Sequence, residues 1–122
     1  MSTSTATPSR FHLETLTPLH WLGVLLAVLT GVLHLYLGIG FITEPLGWPF
    51  IAAGIGFFVG VLAVLVDYRR RLIYLLGVPF TGGQIVAWYV VNAPDFSTLG
   101  IGDKVVQVIL IVVLLVLYSR ES

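Results

Sequence analysis

The sequence predicts an all-α, polytopic membrane protein: one four-helix bundle with both termini in the cytoplasm. Three observations predict it. Four long apolar runs follow one another, near residues 19–41, 49–66, 72–91 and 103–118. Charged residues make up 10% of the chain against 57% apolar, with a mean hydropathy of +1.01, whereas soluble domains carry about 25% charge. Arg69, Arg70 and Arg71 stand in a row after the second run, and basic residues clustered in a short loop mark the cytoplasmic side.

The 122 residues suffice for one domain. Six acids balance six bases, so no basic patch suggests a nucleic-acid partner. There is no Cys, which removes disulfides, thiol nucleophiles and thiolate metal sites together. Residues 1–18 form a polar, Ser/Thr-rich tail, expected to be disordered or to lie on the membrane surface. The tail lacks the compact apolar region and cleavage site of a removable signal. Residues 19–122 then make the single transmembrane domain.

Span 1 follows Pro18, which suits a first helical turn because its missing N–H has no use there. At 1.5 Å per residue the run is ~34 Å long, enough for a ~30 Å hydrocarbon core. His20, Gly23, Ala27, Gly31, His34 and Gly38 recur at steps of three and four, so they share one stripe of a helix. A seam of small residues lets a neighbouring helix approach closely. Thr43, Glu44, Pro45 and Gly47 make the following turn. Span 2 carries its own ladder, Ala52, Gly56 and Gly60, and the two seams are expected to face each other.

Span 3, residues 72–91, contains Pro79 with Gly77, Gly82 and Gly83 nearby, which predicts a kink or a break. Gln84, Trp88 and Asn92 stand at steps of four and make one face polar toward the outer end. Residues 93–102 read as the longest loop, placed externally. Span 4, residues 103–118, is a Val/Leu/Ile block without a small-residue seam and reads as peripheral or lipid-facing. Tyr118 and Arg120 anchor its inner end.

The polar groups inside the spans are the candidates for chemistry. By depth, His34, Gln84 and Gln107 fall in one outer layer with Tyr36, Tyr89 and Asn92, and Asp103 with Lys104 reads as its lid. The inner half reads as nearly all hydrocarbon. Two readings stay open. In one, His34, Gln84 and Gln107 hydrogen-bond across helices and specify packing. In the other, the pocket of His34, Gln84, Gln107, Tyr89 and Asn92 handles a proton or small solute from outside.

His20 and His34, 14 residues apart on one face, also match the spacing of ligands for two stacked b-type haems. The second ligand for each haem would have to come from a copy of span 1, since the other histidine, His12, lies in the tail. His20 otherwise reads as interfacial, beside Trp21. Arg69, Arg70 and Arg71 read as topology residues, with a lipid-headgroup site as the alternative. No phosphate-binding glycine loop, zinc motif or buried carboxylate pair is present, so no catalytic residue, metal or cofactor is assigned and the chain reads as a non-enzyme.

The stretches HWLGVLLAVLTGVLHLYLGIGF, DYRRRLIYLLGVPFTGGQIVAWYV and DKVVQVILIVVLLVLYSRES resemble small four-span membrane proteins of unknown function from haloarchaea. The resemblance covers about residues 18–122 and is most specific at DYRRRL and GVPFTGGQ. It implies a plasma-membrane location and a four-helix fold, and carries over no catalytic residue. The first functional reading is a non-enzymatic accessory or self-associating membrane component, meeting a copy of itself or another membrane protein along the span 1 seam. The pocket around His34 is the alternative, and a dimeric haem protein the last.

Overall fold

The computed structural model describes residues 15–45 and 47–121; the expected polar tail, with His12, falls largely outside them. Four helices follow in order: α1 (Pro18–Gly40), α2 (Gly47–Leu65), α3 (Arg70–Asn92) and α4 (Thr98–Arg120). All four are long and apolar enough to cross a membrane. α1 packs most closely on α2, α4 lies against both α1 and α3, and α2 and α3 touch only thinly.

Local chemistry sets the helix starts. Thr17 caps α1 through its side chain, and His20 takes the place of the usual Glu in a capping box, its ring Nδ1 accepting from the Thr17 N–H at 3.0 Å. Ser97 caps α4, its hydroxyl accepting from the Gly100 N–H at 2.9 Å. That cap starts α4 five residues before the apolar block suggests, at Thr98 instead of Asp103. The loop between α3 and α4 is shorter accordingly. α3 is continuous through Pro79, so the broken-span alternative is not found.

Packing corrects two expectations about the small-residue seams. On α1 the stripe is used within the chain: a Cβ on Gly23 would meet Val113 and Leu117 of α4, and one on Gly31 would meet Phe57 and Phe58 of α2. Gly38 is tightest, with Ile51 Cγ1 at 2.7 Å and the Gly47 carbonyl at 2.9 Å from the position of an added Cβ. On α2 the face turned to α1 is not the ladder of Ala52, Gly56 and Gly60. It is Gly47, Gly54 and Phe57, with Gly54 beneath Leu35. Ala52 is exposed, Gly56 sits against Phe80 of α3, and Gly60 is in ordinary contact range of Ile73.

The second correction concerns α4, which is not peripheral. Asp103, Lys104, Gln107, Leu110, Val113 and Leu117 are all buried, at steps that keep them on one stripe. Large side chains on α4 fit the space left by Gly23 on α1. The outward faces remain apolar, with Leu25, Val32, Ile55, Leu62, Val108 and Val112 among the exposed residues. In water that surface would aggregate.

Candidate functional site

Midway along α1, Thr30 is 1% exposed and begins a closed hydrogen-bond circuit with α4. The Thr30 hydroxyl donates to Asp103 Oδ1 at 2.6 Å. Lys104 Nζ donates to Asp103 Oδ2 at 2.8 Å and to Gln107 Oε1 at 2.7 Å. Gln107 Nε2 closes the ring by donating to Thr30 Oγ1 at 3.2 Å. A second bond from Gln107 Nε2, 3.1 Å to Gln84 Oε1, brings in α3. Gln84 in turn donates to the Phe80 carbonyl at 3.0 Å. Gln107 is 0% exposed, so these bonds replace its whole hydration shell.

His34 joins one turn above Thr30. Its Nδ1 lies 2.7 Å from the Thr30 carbonyl, a pure acceptor, so Nδ1 carries the proton and Nε2 is left as an acceptor. Among the described residues Nε2 has no hydrogen-bond partner. The ring packs between Phe50 and Phe57, with centroids 5.3 and 5.8 Å away.

A cavity of about 420 Å³ borders this circuit, lined by His34, Gln84, Trp88, Asn92, Asp103 and Lys104 with apolar neighbours from α1 and α2. Trp88 stacks on Phe96 at 4.5 Å, and Lys104 Nζ stands 5.9 Å from the Trp88 ring. The wall therefore offers an ammonium, a carboxylate, two amides and a free imidazole acceptor at one mouth. Such a set can bind a small polar molecule by several directional bonds. Among the described residues no group of three His, Asp or Glu could hold a metal ion.

Of the expected pocket residues, the structure brings His34, Gln84 and Gln107 together. Tyr89 and Tyr36 are exposed and take no part. Asn92 lines the cavity but spends its amide on the Trp88 carbonyl at 2.9 Å. Asp103 and Lys104 are not a lid. They lie ~8 and ~9 Å inside α4, and Gln107 ~14 Å inside, deeper than the apolar run alone suggests. Thr30 is the member not anticipated, although it stands four residues before His34 on the same stripe.

The end that carries the arginines has buried polar groups of its own. His20 is buried in the first turn of α1. Its ring lies 6.3 Å from that of Tyr74, and Nε2 is 3.7 Å from Glu121 Oε2. The three arginines diverge. Arg70 is buried, donating to the Val64 carbonyl at 2.8 Å and to Thr15 Oγ1 at 2.7 Å. It thereby caps the end of α2. Arg69 stacks toward Tyr68 and Arg71 over Tyr118, at 5.5 and 4.7 Å. With both His20 and His34 enclosed by the chain's own helices, a copy of α1 cannot reach them. The paired-haem arrangement therefore has no access, and the α1 seam is not free to serve as a contact face.

Fold and site together define the class: an all-α four-helix bundle with apolar outer faces and a buried polar circuit beside an open cavity. The chain belongs to a Family of unknown function (DUF7475), which it matches over residues 5–118. No curated protein and no solved structure matches it.

Proposed function

We propose that this chain is a non-enzymatic, multi-pass protein of the plasma membrane that takes a small polar solute into the cavity around His34. The observation that carries the reading is a buried Asp103–Lys104 pair at the wall of an open cavity. Ionised groups inside an apolar bundle are costly and are found where they face partners or a wet pathway. A bundle needing only packing could use amides and hydroxyls.

The orientation follows from charge. Arg69, Arg71 and Arg120 gather at one end, which the positive-inside rule assigns to the cytoplasm together with both termini. The cavity then opens outward, near Asp95 and Glu44. The cell-membrane location and the haloarchaeal affinity rest on the resemblance of the DYRRRL and GVPFTGGQ segments. Association with a copy of itself or another membrane protein would use the exposed apolar faces of the bundle, since the α1 seam is filled.

The test is native mass spectrometry of protein released from discs of its own membrane. Wild type should carry an extra mass that both His34→Leu and Asn92→Ala lose while eluting as folded protein. No extra mass on wild type, or one kept by both variants, would overturn the reading.

A further inference from the structure

A second cavity, of about 350 Å³, lies toward the arginine end, between α2, α3 and the inner sides of α1 and α4. Its size falls in the range of small-molecule sites. The walls are apolar, with Phe57, Val61, Val64, Leu110, Leu114 and Leu117 among them, and no Asp, Glu, Lys or Arg lines it. The exposed residues Val59 and Leu76 also line it, so its mouth opens between α2 and α3, where those helices touch thinly.

Three polar side chains stand in this otherwise apolar wall, and each is more than nine-tenths buried: His20, Tyr74 and Thr81. His20 Nε2, Tyr74 OH and Thr81 Oγ1 have no hydrogen-bond partner among the described residues. Each can donate, and the two hydroxyls can also accept. His20 Nδ1 accepts from the Thr17 N–H, which leaves the ring proton on Nε2. The Glu121 carboxylate, at 3.7 Å, is beyond hydrogen-bond range. Thr81 does not bond back to the carbonyl four residues earlier, the usual resort of a helical threonine. A buried donor without an acceptor costs free energy, and three around one cavity define what would relieve them: oxygen acceptors on an uncharged, apolar body.

We propose that this cavity binds an uncharged, lipid-soluble ring compound bearing carbonyl oxygens, of the quinone class. Entry is sideways from the bilayer between α2 and α3. A phosphate or carboxylate ligand finds no cation in the wall, and a plain hydrocarbon leaves the donors unanswered. The Phe57 and Phe80 rings, edge to face at 5.1 Å, give a flat body an aromatic side to rest on. The route of entry rests on the membrane reading; the site itself is separate from the His34 cavity.

Equilibrium dialysis of the purified full-length protein against menadione and 2-methylnaphthalene tests this. The two probes share a ring body, and only the first has carbonyls. The absence of Cys precludes thiol arylation by menadione. Saturable menadione binding is expected, at least tenfold tighter than 2-methylnaphthalene. Tyr74→Phe and Thr81→Val, which keep shape and lose a donor, should each weaken menadione about five- to tenfold. Neither should change 2-methylnaphthalene binding. Gly60→Leu, placed where only Ile73 comes within 4 Å of an added Cβ, should block both probes. His34→Leu should leave both untouched, which separates this site from the outer cavity. Equal affinity for the two probes, no saturable menadione binding to wild type, or full menadione affinity in both donor variants would overturn the proposal.

Discussion

Lys104→Met should destabilise the bundle more than Asp103→Asn and Lys104→Met together. Methionine keeps the length of the lysine stem but donates nothing. In the single variant Asp103 retains only the Thr30 hydroxyl, at 2.6 Å, and Gln107 Oε1 loses its donor at 2.7 Å. Asp103 is 7% exposed and Gln107 fully buried, so water does not replace the lost bonds. Breaking a buried pair from one side costs about 3–5 kcal/mol, chiefly the uncompensated charge. The double variant removes that charge, and Asn can still accept from Thr30. The new amide N–H2 and Gln107 Oε1 then lack the partner that Lys104 supplied, but both are uncharged, at about 1–3 kcal/mol. The difference between single and double variant, about 2 kcal/mol, is readable by unfolding in mixed micelles of increasing SDS content, followed by far-UV circular dichroism. A single variant that costs under about 1 kcal/mol, or a double variant as unstable as the single, would refute the reasoning. Either result would mean that water from the cavity already solvates the pair.

Gly38→Ala should cost about 1–3 kcal/mol by overpacking against Ile51 and the Gly47 carbonyl. Gly40→Ala, with nothing within 4 Å of the added Cβ, should be neutral or slightly stabilising in the same unfolding series. Arg70→Met should lower stability by more than about 2 kcal/mol, since it strips the cap from α2 and the bond to Thr15. Arg69→Met and Arg71→Met should each stay within about 1 kcal/mol. Because the chain has no Cys, single cysteines report topology cleanly. In intact cells Asp95→Cys should label with an impermeant maleimide, and Arg69→Cys should label only after permeabilisation.

The stripe on α1 was legible as a buried face, because it combined helical periodicity with small residues, but not as to its partners: Gly23 meets α4 and Gly31 meets α2. His20, Gly23, Gly31, His34 and Gly38 are all buried, and Ala27 is half-buried. The ladder on α2 was legible as packing but not as to partner. Spacing places Ala52, Gly56 and Gly60 on one face without saying which neighbour that face meets. The inward face of α4 was hidden for a different reason. Glycine on one helix calls for bulk on the other, and Val113 and Leu117 look like any lipid-facing pair until Gly23 is opposite them. Asp103 and Lys104 read as a helix end because isolated charge usually marks the interface. Here Ser97 caps the helix earlier, and the pair is carried inward.

The position of the polar circuit separates the cavity beside His34 from the cavity beside Tyr74. Thr30, Gln107 and Gln84 tie α1, α4 and α3 together at mid-height. Phe57 and Phe80 meet nearby from α2 and α3. On one side of this layer the cavity wall contains Asp103, Lys104 and His34; on the other it is apolar, with the polar atoms of His20, Tyr74 and Thr81 lacking a hydrogen-bond partner among the described residues. The layer is held by directional bonds whose loss is expensive in a low-dielectric interior, so it fixes the register of α4 on α1 while α2 and α3 remain in thin contact. The same arrangement that restrains one pair of helices leaves the other pair free to part. An inner cavity that opens between α2 and α3 follows from this unequal bonding, and the polar layer keeps it apart from the outer one.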